Sequence, residues 1–197
     1  MKDALIIFVR NPELGKVKTR LAATAGDEKA LDIYCRLLNH TMQQASEIAA
    51  DKFVFYHQEI AANDIWNINK FYKKLQTGKS LGDKMKAAFD EIFKLGYKKV
   101  MIIGSDCLQL NSTIITTGFS LLNDNDTVVG PATDGGYYLL GMKKNYSFLF
   151  DNKTWSTESV LDESMEDMRQ RHLSTGLLPV LTDVDTEVDW IKSKKLL

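Results

Sequence analysis

The chain has 197 residues, 44% of them hydrophobic and 26% charged, with a formal net charge of -1. That length and balance suit a single soluble domain over 1–197, and they exclude a global field that would draw the chain to nucleic acid or an anionic membrane. Its two cysteines, Cys35 and Cys107, offer neither a metal knuckle nor a disulfide framework, and the apolar run near the start is too short for membrane insertion; both features fit a cytoplasmic protein.

Ala4 to Val9 is fully apolar and reads as a strand buried on both faces. The segment after it, Arg10 to Arg20, is kept irregular by Pro12 and Gly15 and carries four cations, Arg10, Lys16, Lys18 and Arg20. Lysine supplies a point charge and arginine a fork that matches phosphate oxygens, so this loop is a candidate phosphate site. It contains no Walker loop, and the dinucleotide fingerprint is absent from the chain.

Leu31, Tyr34, Cys35, Leu38 and Met42 recur at helical spacing, with Asp27 as a candidate cap. Lys52 to Tyr56 reads as the next strand, closing a right-handed strand-helix-strand unit. Lys74 to Thr77 reads as a short strand. The turn Gly78 to Gly82 then opens an amphipathic helix through Leu81, Met85, Phe89 and Ile92. Such a turn serves either as a connector or as a place where a ring or an anion approaches the backbone.

Val100 to Ile103 is a third buried strand, and Gly104-Ser105-Asp106 ends it. An acid there sits at the carboxyl edge of the sheet, where open α/β folds bind ligands, or it caps the next element. Asn111 or Ser112 caps a helix reaching about Leu122. Asp126 to Pro131 and Tyr137 to Met142 read as strands joined through Asp134-Gly135-Gly136, so Asp134 reads as a turn residue or as a site acid. Ser156 or Thr157 caps a helix with Leu161, Met165 and Met168 inward. Leu178 to Leu181 reads as a last strand, ending in Asp183-Val184-Asp185-Thr186 with both acids on one side. Glu187 to Lys195 reads as a terminal helix.

One strand-end loop is therefore basic, and three are acidic. A divalent cation with a bound diphosphate would reconcile the two signs: magnesium takes oxygen ligands and keeps water or phosphate in its remaining positions. Metal and cations together stabilise charge on a departing phosphate. Metalloprotease and nucleophile-elbow motifs are absent from the sequence.

In order along the chain, Phe8-Val9-Arg10-Asn11-Pro12 with Gly15-Lys16-Val17-Lys18-Thr19-Arg20-Leu21, Gln76-x-Gly78-x-x-Leu81-Gly82, Gly104-Ser105-Asp106, Asp134-Gly135-Gly136-Tyr137-Tyr138-Leu139, Trp155-Ser156-Thr157 and Asp183-Val184-Asp185-Thr186 resemble the bacterial glycosyltransferase-like family named for arsenosugar biosynthesis. That family is similar to the GT-A type nucleotide-diphospho-sugar transferases. The resemblance implies a Rossmann-like, three-layer α/β/α fold with a mainly parallel mixed sheet. It implies an enzyme that uses Mg2+ or Mn2+ and transfers a sugar from a nucleotide sugar to a small acceptor. A nucleotidyltransferase that releases pyrophosphate from a nucleoside triphosphate is the first alternative, and a non-catalytic nucleotide-binding module is the second.

By the same resemblance, Arg10, Lys16, Lys18 and Arg20 meet the nucleotide phosphates, and Gln76, Gly78, Leu81 and Gly82 lie near base and ribose. Asp106 and Asp185 are the implied metal ligands. Gly135, Gly136, Tyr137 and Trp155 border the sugar or acceptor. Lys18 and Asp134 are the candidate catalytic groups, Lys18 for the departing phosphate and Asp134 for the donor sugar or the acceptor. The chain departs from the family pattern at Leu108, where proline is usual, and at Asp83-Lys84, where Glu-Arg is usual.

Overall fold

The computed structural model describes residues 2–196, so Met1 and Leu197 of the domain expected over 1–197 lie outside the described residues. The elements in chain order are β1 (Asp3–Val9), α1 (Thr19–Ala25), α2 (Asp27–Ser46), β2 (Asp51–Tyr56), β3 (Phe71–Leu75), α3 (Leu81–Lys94), β4 (Lys99–Ile103), α4 (Ser112–Leu121), β5 (Thr127–Pro131), β6 (Tyr137–Met142), α5 (Val160–Gln170), β7 (Thr175–Leu177) and α6 (Glu187–Ser193). The strands form one 7-stranded sheet in the order β3-β2-β1-β4-β6-β5-β7. All neighbours are parallel except β6, which runs antiparallel to β4 and β5. The mixed, mainly parallel α/β sheet expected from the sequence is the observed architecture.

Alternation along the strands divides the core into two layers. Leu5, Ile7, Met101 and Ile103 pack with Tyr34 and Leu38 of α2 and Ile115 of α4. Ala4, Ile6, Val100 and Ile102 pack on the other face with Met85, Phe89 and Ile92 of α3 and Met168 of α5. A smaller cluster of Leu21, Ile33, Leu108, Val184 and Trp190 ties α1 and α6 to α2. Among the described residues, no helix is long and apolar enough to cross a membrane.

Several local expectations are corrected. The basic segment is not irregular throughout, because α1 begins at Thr19 and carries Arg20. Gly26, not Asp27, is the cap of α2; at φ 84 it ends α1 and opens α2, leaving Asp27 as the first helical residue, where its charge suits the helix dipole. The third strand is Phe71–Leu75 rather than 74–77. Ser159 precedes α5 without a side-chain cap. Thr157 instead donates its hydroxyl to Thr154 O at 2.7 Å, and Ser156 sits at φ 66 in a turn of its own. The last strand is Thr175–Leu177. Leu178 and Leu181 still donate to Val129 O and Pro131 O of β5 at 2.9 and 3.1 Å, but Pro179 has no N–H and interrupts the ladder. Asn111 caps α4 as expected, accepting from Ile114 N at 3.0 Å.

Candidate functional site

Every strand except β6 ends at one edge of the sheet, and β6 begins there. A cleft of about 1120 Å3 opens along this edge, lined by Arg10, His57, Gln76, Asp106, Asp134 and Asp183 among others. The topology thus gathers residues that lie far apart in sequence.

Lys18 is the centre of the acidic side. Its backbone is left-handed, with φ 48 and ψ 47, just before α1. This geometry is uncommon for a residue with a Cβ and is held by its surroundings. The ammonium lies 2.8 Å from Asp106 Oδ1 and 3.1 Å from Asp185 Oδ1, with only 6% of the side chain exposed. Burial opposes its charge, but Asp106 and Asp185 outweigh burial and hold its pKa above the ordinary lysine value. Arg20 reaches Asp185 Oδ2 at 3.6 Å from the solvent side.

The two acidic loops are bound to each other, since Val184 N donates to Asp106 O at 2.8 Å. Thr186 and Asp189 form a reciprocal cap at the start of α6, and Asp189 Oδ2 also accepts from Asp185 N at 3.3 Å. Asp183 faces the same cluster. Burial, and then the charges of Asp106, Asp134 and Asp185 against the opposing pull of Lys18, push its pKa up to about 7. Burial likewise pushes the Cys107 thiol up to about 12, and its Sγ–H points to Thr182 O at 3.6 Å. Cys107 is a packed thiol, whereas Cys35 on α2 is half-buried, with burial and the neighbouring Asp32 raising its pKa.

Asp106 and Asp185 therefore both face a cation supplied by the chain itself. Among the described residues, no group of three or more His, Cys, Asp or Glu side chains is arranged to hold a metal. Two carboxylates in an oxygen-only setting are nevertheless what magnesium or manganese needs from a protein when phosphate and water complete the shell.

A second group of cations stands where the neighbouring strands β1, β2 and β3 end. Lys84 Nζ lies 3.1 Å from His57 Nδ1. Gln76 ties the ends together, donating to Val9 O at 3.1 Å and Phe55 O at 2.9 Å. Tyr34 of α2 does the same across β1 and β4. Its hydroxyl accepts from Arg10 N at 2.8 Å, donates to Arg10 O at 3.1 Å and lies 3.4 Å from Ser105 Oγ.

The remaining wall comes from β6 and the segment before α5. Asp134 Oδ1 accepts from Gly136 N at 3.0 Å, so the residue closes a turn while also lining the cleft. Gly136, Tyr137, Trp155 and Leu81 line it too. The Tyr137 hydroxyl is buried with no hydrogen-bond partner among the described residues. Gly82 and Gly135 act by closeness: a Cβ on Gly82 would lie 2.1 Å from Trp155 Nε1, and one on Gly135 would lie 2.1 Å from Glu158 O. Gly78, at φ 135, has Asp83 against it and shapes the cap of α3. Lys16 is the predicted residue that stands apart: it is exposed and pairs with Glu13 at 2.6 Å.

Sequence reading passed over His57, Lys84 and Tyr34 as members of this site, and counted Asp183 among the acidic strand ends without giving it a role. His57 had a usable signal, since it directly follows a buried strand. Tyr34 had none, because its spacing matches the core face of a helix.

No curated protein matches the sequence. Among solved structures, the chain is similar to a candidate nucleotide-diphospho-sugar transferase from Desulfovibrio desulfuricans G20, with 32% identity and a TM-score of 0.85, covering 94% of this chain and 84% of that one. At the level of fold alone, it is similar to CMP:2-keto-3-deoxy-manno-octonic acid synthetase complexed with CTP (11% identity, TM-score 0.60, covering 100% of this chain and 98% of that one). It is also similar in fold to Rv0371C of Mycobacterium tuberculosis H37Rv in complex with manganese (9% identity, TM-score 0.60, covering 100% of each). A family profile described as "Uncharacterized protein conserved in bacteria (DUF2064)" matches residues 39–157, and the chain belongs to that family.

Proposed function

We propose that this protein is a transferase that binds a nucleotide-diphospho-sugar at the strand-end cleft and passes the sugar to a small acceptor. The observation that carries this reading is the convergence of Asp106 and Asp185 on one buried cation at the carboxyl edge of the sheet, beside a cleft that is also lined by Arg10 and Lys84. The likeness to the Desulfovibrio protein supports it, and the resemblance to arsenosugar-biosynthesis glycosyltransferases is the ground for placing sugar transfer first.

Asp106 and Asp185 would hold Mg2+ or Mn2+, which would supply positive charge to the departing diphosphate. Lys18 and Arg20 add charge at the same place and need little reorganisation, since their partners already hold them. Asp134 keeps one carboxylate oxygen in its turn and has the other for the donor sugar or for the proton of the acceptor hydroxyl. Tyr137 and Trp155 close the apolar side of the cleft against water.

Nucleotidyl transfer with release of pyrophosphate is the second reading, favoured by the fold likeness to a synthetase complexed with CTP. Thermal stability against nucleoside triphosphates, diphosphates and nucleotide sugars, with and without manganese, tests both. A ligand at a hundredfold excess over its dissociation constant stabilises the native state by about 2.7 kcal/mol. Metal-dependent stabilisation by one nucleotide sugar, abolished in Asp106→Ala, is the expected result. Pyrophosphate released from a triphosphate and a sugar phosphate would move the assignment to nucleotidyl transfer. Binding without turnover would mark a nucleotide-binding module, and absence of any shift would overturn the proposal.

A further inference from the structure

We propose that Arg10, His57 and Lys84 form a phosphate-binding corner beside the Lys18–Asp106–Asp185 cluster, in the same cleft, and that the corner and the cluster hold the diphosphate of the ligand between them. This deepens the nucleotide reading above and rests on it only for the identity of the natural ligand.

The corner is built by strand register. Val9 of β1 pairs with Tyr56 of β2, and Tyr56 pairs with Leu75 of β3. The next residue of each strand is Arg10, His57 and Gln76, so the three leave the sheet side by side and all line the cleft. Lys84 comes from the first turns of α3 and closes the row by reaching His57 Nδ1 at 3.1 Å. The ammonium can only donate, so His57 accepts on Nδ1 and carries its proton on Nε2 when neutral.

Pairing separates this corner from the rest of the basic segment. Lys16 is bound to Glu13, Lys18 to Asp106 and Asp185, and Arg20 to Asp185. Among the described residues, neither Arg10 nor Lys84 has a carboxylate within ion-pair distance. The corner therefore gathers cations and leaves them facing one another. That crowding acts on the protonation of its members. Burial, then Lys84 and Arg10, hold the His57 pKa below its ordinary value, with the Gln76 side chain opposing. Burial and Arg10 lower that of Lys84. An arginine fork, an ammonium and an imidazole N–H offer donors on several sides of one anion, and a phosphoryl group has oxygens for all of them. A bound anion would also offset the repulsion between Arg10 and Lys84.

The test reads His57 directly. The chain has 3 histidines, so the imidazole proton resonances of His40, His57 and His172 can be followed separately through a pH titration. Sodium pyrophosphate is the probe, and sodium chloride of equal ionic strength is the control. Pyrophosphate is expected to raise the His57 pKa and leave His40 and His172 where they were. Lys84→Met is expected to weaken pyrophosphate binding about tenfold or more, the worth of one charge-assisted hydrogen bond, with recovery in Lys84→Arg. A His57 resonance that ignores saturating pyrophosphate, pyrophosphate that fails to bind, or unchanged affinity in Lys84→Met would each overturn the proposal. The two readings fail in different ways. Nucleotide sugars that bind equally well to Lys84→Met sink the corner and spare the nucleotide site. Pyrophosphate that moves His57 while no nucleotide binds does the reverse.

Discussion

Lys18 Nζ sits 2.8 Å from Asp106 Oδ1 and 3.1 Å from Asp185 Oδ1, so one ammonium bridges two carboxylates that would otherwise repel each other. Lys18→Met removes the buried charge that balances Asp106, Asp183 and Asp185 from within the cluster. We expect a loss of about 1–3 kcal/mol at neutral pH, read as a lower urea midpoint. The sign follows from a folded-state pKa above the usual lysine value: the contribution is complete below that usual value and disappears as pH rises through the folded one. The same variant is expected to bind Mn2+ about tenfold more tightly or better, because a like charge has left the metal's carboxylates. Unchanged Mn2+ affinity would mean that the metal, if it binds, uses other oxygens.

Asp183 carries the opposite sign. Its folded-state pKa of about 7 lies above the value of an unfolded aspartate, so the native state prefers the protonated form. Stability from this group falls as pH rises from the unfolded pKa to about 7, and the full penalty persists above that. Asp183→Asn is expected to flatten this decline and to add about 1–3 kcal/mol at pH 8, the carboxyl being partly buried. Denaturant midpoints of both proteins between pH 4 and pH 8 measure it. Parallel pH profiles would show that Lys18 already compensates Asp183 in full.

Tyr34→Phe tests the clamp at the base of the cleft. The hydroxyl both accepts from Arg10 N and donates to Arg10 O, and Ser105 stands beside it. Its removal leaves the Arg10 amide short of a partner in a site shielded by α2. The expected cost is about 1–3 kcal/mol in stability, with weaker ligand binding because Arg10 loses its fixed position. A variant as stable as wild type would show that water replaces the hydroxyl there.

The buried strands were legible because a parallel sheet covered on both faces needs continuous apolar runs, as in Ala4 to Val9 and Val100 to Ile103. The residues directly after those runs were legible for the same reason: an edge position follows from the end of a strand. What escaped depended on contacts between distant segments. Arg10 and Lys18 looked alike in one basic loop, yet a left-handed backbone at Lys18 sends it among the acids while Arg10 stays beside His57. Thr175–Leu177 was missed because pairing with β5, rather than apolarity, makes it a strand. Nothing in local pattern shows that a helical tyrosine will join β1 to β4.

Gly135 fixes the segment that carries Trp155 and Glu158. Its φ is 84, which disfavours a residue with a side chain, and a Cβ there would lie 2.1 Å from Glu158 O and 2.6 Å from Glu158 C. Those are backbone atoms, so no rotamer change relieves the clash. Gly135 O also accepts from Leu161 N at 2.9 Å, holding the first turn of α5 against the turn after β5. Gly135→Ala must therefore either distort the turn that aims Asp134 or lift residues 154–159 off the cleft. Both routes cost about 2–4 kcal/mol. The second also releases Trp155 from its place against Gly82, where the indole edge meets the α3 backbone. Tryptophan emission separates the two, with Trp155→Phe as the reference that removes the reporting indole. A red shift that vanishes in the double variant would show that the segment has lifted. Lost stability without that shift would place the damage in the Asp134 turn. Wild-type stability and emission together would mean that the chain avoids the clash by a backbone movement smaller than the contact requires, and that the segment is not pinned at Gly135.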